Sequence, residues 1–327
     1  MSLGFIPSDA CVLVVQAGMV AAPRRLGSED RLGRLAARLQ SRWWALVPVG
    51  SIVVVIFAIQ AASGVADGLT WLALIAIPIL AAVAFGWAVR GARWWLGILG
   101  APLLALAWLS PATLWGQAAA TLLTAFSCVT LGVLLAGVCP PSWLKVGIVL
   151  MALGDSYLVL TDLLQAPNNE LVAASPGPGL PQLQGITFGD ILLGYGDVFV
   201  AAVLGGVLAR QGRAQWPMAL LTLALAGLFD LLFFVLAELP ATVPVALAMI
   251  AGEGWLWARR RRSGEADGGV GRAGADGGGR APGACAQWGP SPPVAAGGRD
   301  SSASEVIART PRAASSSTSV ASSAERE

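Results

Sequence analysis

Residues 142–164 read SWLKVGIVLMALGDSYLVLTDLL. Roughly 20 predominantly apolar residues suffice to cross ~30 Å of hydrocarbon as a helix. This stretch has that length, with Lys145 near its start and two acids, Asp155 and Asp162, in its second half. It predicts a membrane helix that carries carboxylates. An intramembrane charge costs roughly 2.5–3.5 kcal/mol on insertion scales, so such acids mark pathways, pairs or active sites.

Outward from this stretch the pattern repeats. The chain of 327 residues is 56% hydrophobic and 12% charged, about half the charge of a soluble domain. Apolar runs predict eight spans, at 43–62, 68–89, 94–109, 112–137, 142–164, 185–209, 215–237 and 240–258. The expected fold is all-α, a polytopic transmembrane helix bundle. Four parts follow: 1–42, an N-terminal segment with a basic amphipathic helix; 43–137, a four-helix membrane part; 142–258, a second four-helix part; and 259–327, a tail. From Ser263 the tail is rich in Gly, Ala, Ser and Pro. Such composition buries too little to offset chain entropy and predicts disorder.

The connections alternate in charge. Arg24–Arg42, Arg90 with Arg93, Lys145, Arg210 with Arg213, and Arg259–Arg262 all fall on one side. Asp67, the Ser110–Pro111 turn, the loop 165–184 with Glu170, and Glu238 fall on the other. The positive-inside rule makes the basic side cytoplasmic, and with it the tail. The expected location is the cell membrane. Residues 3–22 are apolar but short. If they also cross, the spans number nine and the N-terminus lies outside.

Composition excludes several chemistries. The chain has no histidine, which removes Ser-His-Asp and Cys-His catalysis and histidine-ligated zinc motifs. Cys11, Cys128, Cys139 and Cys285 form no CxxC pair and read as inert. No metal or other cofactor is expected. The basic residues form no groove with interleaved aromatics, so no nucleic-acid partner is expected. The expected partners are the bilayer and a membrane-spanning peptide.

The acids then carry the argument. Asp155 and Asp162 are seven residues apart, as are Asp190 and Asp197, so each pair shares a helix face. Asp155 lies about nine residues from the outer end of its span and Asp197 about eleven from its own. At ~1.5 Å per residue both sit near the midplane. Their helices are consecutive and antiparallel, so the two carboxyls can face each other. Two such groups share one proton. One can then activate water while the other protonates a leaving group, the aspartic-protease arrangement. Asp162 and Asp190 read as groups of a watery vestibule.

Gly194-Tyr195-Gly196-Asp197 matches the GxGD motif and resembles the intramembrane aspartyl proteases of presenilin and signal peptide peptidase type. Over residues 142–258 three further features are similar in order. Gly154-Asp155 stands where that family has Tyr-Asp. One span follows the GxGD helix. Leu239-Pro240-Ala241, with Pro244-Val245-Ala246-Leu247 behind it, resembles the family's Pro-Ala-Leu signature. The departures are Gly154 in place of tyrosine, and Thr242 after Pro240-Ala241. The resemblance implies Asp155 and Asp197 as catalytic residues. It implies Gly194, Tyr195, Gly196, Leu239, Pro240 and Ala241 as the substrate-binding stretch. Gly194 and Gly196 are expected to admit a close neighbouring backbone. Pro240 and Pro244 are expected to free backbone groups. An outer loop between the aspartate helices implies the inverted, signal-peptide-peptidase-like orientation, for substrates with a cytoplasmic N-terminus. Reporter fusions that place 165–184 in the cytoplasm would overturn this. The same run also resembles the prepilin peptidases, but Val198-Phe199 replaces their lysine and no spans separate the two aspartates. That reading ranks second.

Blander readings accompany these. Asp230 pairs with a neighbouring helix, Glu253 snorkels, and Lys145 anchors at the interface. Trp43, Trp44, Trp94, Trp95, Trp255 and Trp257 form an interfacial belt. The Arg-rich segment binds anionic headgroups. From another class, Asp155, Asp162, Asp190, Asp197 and Asp230 form a proton or cation path, although no inverted repeat of broken helices supports a transporter. A non-catalytic scaffold is the third class.

Overall fold

The computed structural model describes residues 5–25, 38–61, 64–161, 174, 177, 179–189, 191–234 and 240–270. These residues are mostly helical. In chain order the helices are α1 (Phe5–Ala21), α2 (Leu46–Ala61), α3 (Gly64–Val83), α4 (Gly100–Leu109), α5 (Leu114–Val138), α6 (Pro141–Leu160), α7 (Tyr195–Gln211), α8 (Gln215–Asp230) and α9 (Val243–Val270). A π-turn, Ala84–Ala88, extends α3. Two strands, β1 (Gly185–Phe188) and β2 (Ile191–Gly194), pair antiparallel just before α7.

Among the described residues three helical stretches are long and apolar enough to cross a membrane: Gly64–Ala88, Leu114–Val138 and Pro141–Leu160. The others are shorter or more polar. For instance, α7 has 17 residues and α8 has 16, which at ~1.5 Å each is close to 25 Å.

The middle of the bundle is α5. It is apolar nearly all round and buries residues on every face, as a helix with no polar stripe must. It packs against α3, α4, α7 and β1. Three of its buried hydroxyls have partners: Thr130 donates to Leu80 O at 2.7 Å, Thr124 to Leu183 O at 3.1 Å and Ser127 to Thr124 O at 2.7 Å.

Its crossing with α7 is set by small residues. A Cβ added at Gly132 would sit 2.7 Å from the Ala202 carbonyl carbon, and one at Gly206 would sit 2.8 Å from Gly132 O. No side chain larger than hydrogen fits there, so the two backbones are in contact. On the opposite face of α7, a Cβ at Gly205 would meet Val20 O of α1 at 2.6 Å. Within the stretch 3–22, Phe5–Ala21 therefore contributes a helix to the bundle. α1 packs on α7 and α8, and its buried Gln16 donates Nε2 to Ala241 O at 2.9 Å.

Two expectations change. The span expected at 185–209 begins as a hairpin, and the helix starts only at Tyr195. The apolar run 185–194 is rich in β-formers and bounded by Gly185 and Gly194. Gly189 has φ +63, so the chain turns there as tight hairpins require. At the other end, α9 continues through Arg259–Arg262 to Val270, beyond the expected start of the tail. Arg, Ala and Glu are good helix formers, and a formed helix propagates with little cost. The rest of the tail and the centre of the basic segment, 26–37, lie outside the described residues.

One end of the bundle gathers the basic residues. Arg24 N–H donates to Ala88 O and Arg90 N–H to Ala22 O, both at 2.9 Å, joining the ends of α1 and α3. Arg25 Nε donates to Ala209 O at 3.0 Å. Arg210 Nη1 donates to Cys139 O at 2.7 Å. Glu253 pairs with both Lys145, at 2.8 Å, and Arg213. The anchor and the snorkelling acid expected from the sequence are thus partners of each other. Burial pushes the Cys139 thiol up from its ordinary range, and Arg210 offsets only part of that. Because the thiolate is the reactive form, Cys139 should resist N-ethylmaleimide at pH 8 in folded protein and react once SDS unfolds it. Mass spectrometry of the labelled peptides checks this.

Candidate active site

The second half of α6 carries Asp155, five residues before the helix ends at Leu160. The start of α7 carries Asp197 at its third position. These two helices pack on each other, which brings the half-buried carboxyls within electrostatic range of each other.

Each carboxyl is held. Asp155 Oδ2 accepts from Thr242 Oγ1 at 2.7 Å and also draws on the Thr242 backbone N–H. Thr242 immediately precedes α9. Asp197 Oδ2 accepts the Gly194 N–H at 3.1 Å, and Gly194 caps α7. Two helix N-termini therefore converge on the acids, and the positive end of a helix favours a carboxylate. An acid at the third position reaching back to its cap is also an ordinary capping device. Capping explains the orientation of Asp197 but not the presence of Asp155 opposite it.

The expected depth of Asp197, eleven residues into a span, is overturned because the hairpin occupies those residues. Asp197 lies in the first turn of α7, and Asp155 lies near the end of α6. Neither acid is central in its helix.

The glycines of the motif also behave differently from expectation. A Cβ at Gly196 would meet nothing within 4 Å, and one at Gly194 would meet only the Asp197 carboxyl. The close backbone approaches fall instead at Gly132, Gly205 and Gly206. Tyr195 is half-buried and turned to α5, its hydroxyl 3.0 Å from Ser127 Oγ. Pro240 O accepts from Val243 N at 3.2 Å, and Ala241 O is taken by Gln16. The backbone groups expected to be freed there have partners. Leu239, Asp162 and Asp190 lie outside the described residues.

Two participants were not read from the sequence. Thr242, counted there as a departure from a motif, is the residue that holds Asp155. Its hydroxyl type at a helix start was the available signal. Asp9, on α1, lies close enough to Asp230 at the end of α8 for the two carboxyls to interact. No spacing rule links two residues so distant in sequence. Among the described residues no group of three or more metal-ligating side chains occurs.

No known protein family, curated protein sequence or solved structure matches this chain.

Proposed function

We propose that the protein is an integral membrane aspartyl protease that hydrolyses peptide bonds of membrane-embedded segments with Asp155 and Asp197. In this reading all eight apolar segments cross the bilayer of the cell membrane, with the basic end and the tail in the cytoplasm. The exposed Phe57, Leu72, Ile75 and Ile79 on α2 and α3 support a lipid-facing surface, since soluble proteins rarely expose such patches. The gathering of Arg25, Arg90, Lys145, Arg210 and Arg213 at one end supports the orientation.

The observation that carries the chemistry is the approach of two carboxyls from consecutive helices, one of them fixed by Thr242. Such a pair holds one proton between its members. The ionised member takes a proton from a bridging water, which attacks the scissile carbonyl. The protonated member delivers its proton to the leaving amine. Tyr195, tied to Ser127, sets the start of α7 against α5 and so positions Asp197. Gly194, Gly196, Pro240 and Ala241 border the pair on the α7 and α9 sides.

Purified protein in lipid nanodiscs should cleave a single-span reporter peptide, and a transition-state analogue of aspartyl proteases should block it. Absence of both effects would overturn the reading. Thr242→Val removes one hydrogen bond to a carboxyl, about 1.5–3 kcal/mol, and should lower turnover roughly tenfold or more. Thr242→Ser should restore most of it. Equal turnover in all three proteins would show that Thr242 does not position Asp155.

A second reading has its own observation. The Asp9–Asp230 pair, with Asp230 Oδ2 buried, suits a proton path. It predicts pH-driven flux in liposomes that is lost in Asp230→Asn, with no peptide cleavage.

A further inference from the structure

The basic end contains a cleft of about 430 Å³, whose walls include Arg25, Arg90, Gly212, Arg213, Gln215 and Trp216. Three of these are arginines, and among the described residues no carboxylate lines the cleft. Glu253 pairs with Arg213, but Lys145 stands beside it, so the local balance stays positive.

The arginines are held in place rather than loosely spread. Gln215 is buried at 2% exposure. It donates Nε2 to Pro23 O at 3.1 Å and to Gly205 O at 2.9 Å, which leaves its Oε1 to accept from Arg90 Nη2. Arg25 spends Nε on Ala209 O, and its guanidinium lies on Gly212, where an added Cβ would collide with it. A guanidinium has five N–H donors. Among the described residues, Arg25 and Arg90 each use a minority of theirs in these contacts. The first turn of α8, starting at Gln215 with no side-chain cap, adds the positive end of a helix dipole to the same cleft.

Planar forks at fixed positions and a helix start, with no acid among the described lining residues, make a receptor for tetrahedral oxyanions. We infer that this cleft binds a phosphate-bearing anion, either the headgroup of an anionic phospholipid or a free phosphate. The site is separate from Asp155 and Asp197, and its occupancy does not depend on proteolysis. The exposed Trp216 at its edge suits the headgroup level of a bilayer.

The test uses the full chain in nanodiscs. Thermal melting is recorded in phosphatidylcholine alone, in phosphatidylcholine with increasing phosphatidylglycerol, and in phosphatidylcholine with increasing inorganic phosphate. A rise in melting temperature with phosphatidylglycerol alone assigns a lipid headgroup. A rise with inorganic phosphate assigns a soluble anion. In Arg25→Gln/Arg90→Gln the half-saturating amount should increase at least roughly tenfold. Arg261→Gln/Arg262→Gln removes equal charge outside the cleft and should leave the response unchanged. Arg90→Lys keeps the charge and the fold but gives up the fork, and should weaken the response in the same direction. The inference is overturned if neither probe stabilises the protein, if both double variants respond alike, or if Arg90→Lys is indistinguishable from the parent.

Discussion

Asp197→Asn is expected to lower cleavage of a membrane peptide by roughly 10²–10⁴-fold while the protein melts as before. Asparagine keeps an oxygen that can accept the Gly194 N–H, the bond Asp197 makes now. What it loses is the ability to exchange a proton with Asp155. Asp197→Ala should lose activity to the same extent and in addition about 1 kcal/mol of stability, because the cap goes as well. Asp155→Asn should match Asp197→Asn, and the double variant should be no worse than either single one, as for residues that act as a unit. Turnover measured beside thermal melts separates the two roles of Asp197. An Asp197→Asn protein that still cleaves at the parental rate leaves only the capping role.

The largest stability effect is expected away from the acids. Gly206→Val or Gly132→Val should cost about 3 kcal/mol or more, because the first added carbon already falls 2.7–2.8 Å from backbone atoms of the facing helix. Neither backbone can withdraw without separating α5 from α7. Gly196→Ala is the contrasting case. Its Cβ meets nothing within 4 Å, and alanine in a helix is favoured over glycine by about 0.5–1 kcal/mol, so it should be neutral to stabilising. Thermal unfolding followed by tryptophan fluorescence distinguishes the two. Parental stability in Gly206→Val would mean that α5 and α7 do not cross in this way.

Helix content and the pairing of basic ends were legible in the sequence, because apolar length and charge placement are local and additive signals. That Asp155 and Asp197 sit on two helices that pack together was also readable as an expectation, since the helices are consecutive in the chain. The hairpin at 185–194 was not. A short apolar run has no periodicity that separates strand from buried helix, and the decision falls to Gly189 and to the surface offered by α5 and α1. The motif glycines misled for a related reason. Every glycine looks alike in one dimension, while close approach depends on which face of α7 meets α5, and that face is Ala202 and Gly206 rather than Gly196. Thr242 and Asp9 act through contacts with residues far away in sequence, Asp155 and Asp230, where no spacing argument reaches.

The seat of α1 has a consequence for how the protein is made. Its helix leaves the ribosome well before its partners, since Gln16 bonds to a carbonyl 225 positions later, and α7 and α8, on which it packs, are also late. At about 5–20 residues per second the first helix waits roughly 10–45 s for them. During that interval Gln16 and Asp9 must be sheltered by something other than the finished fold. Chains stopped after α6 would keep that helix unmatched and exposed to the cell's quality control.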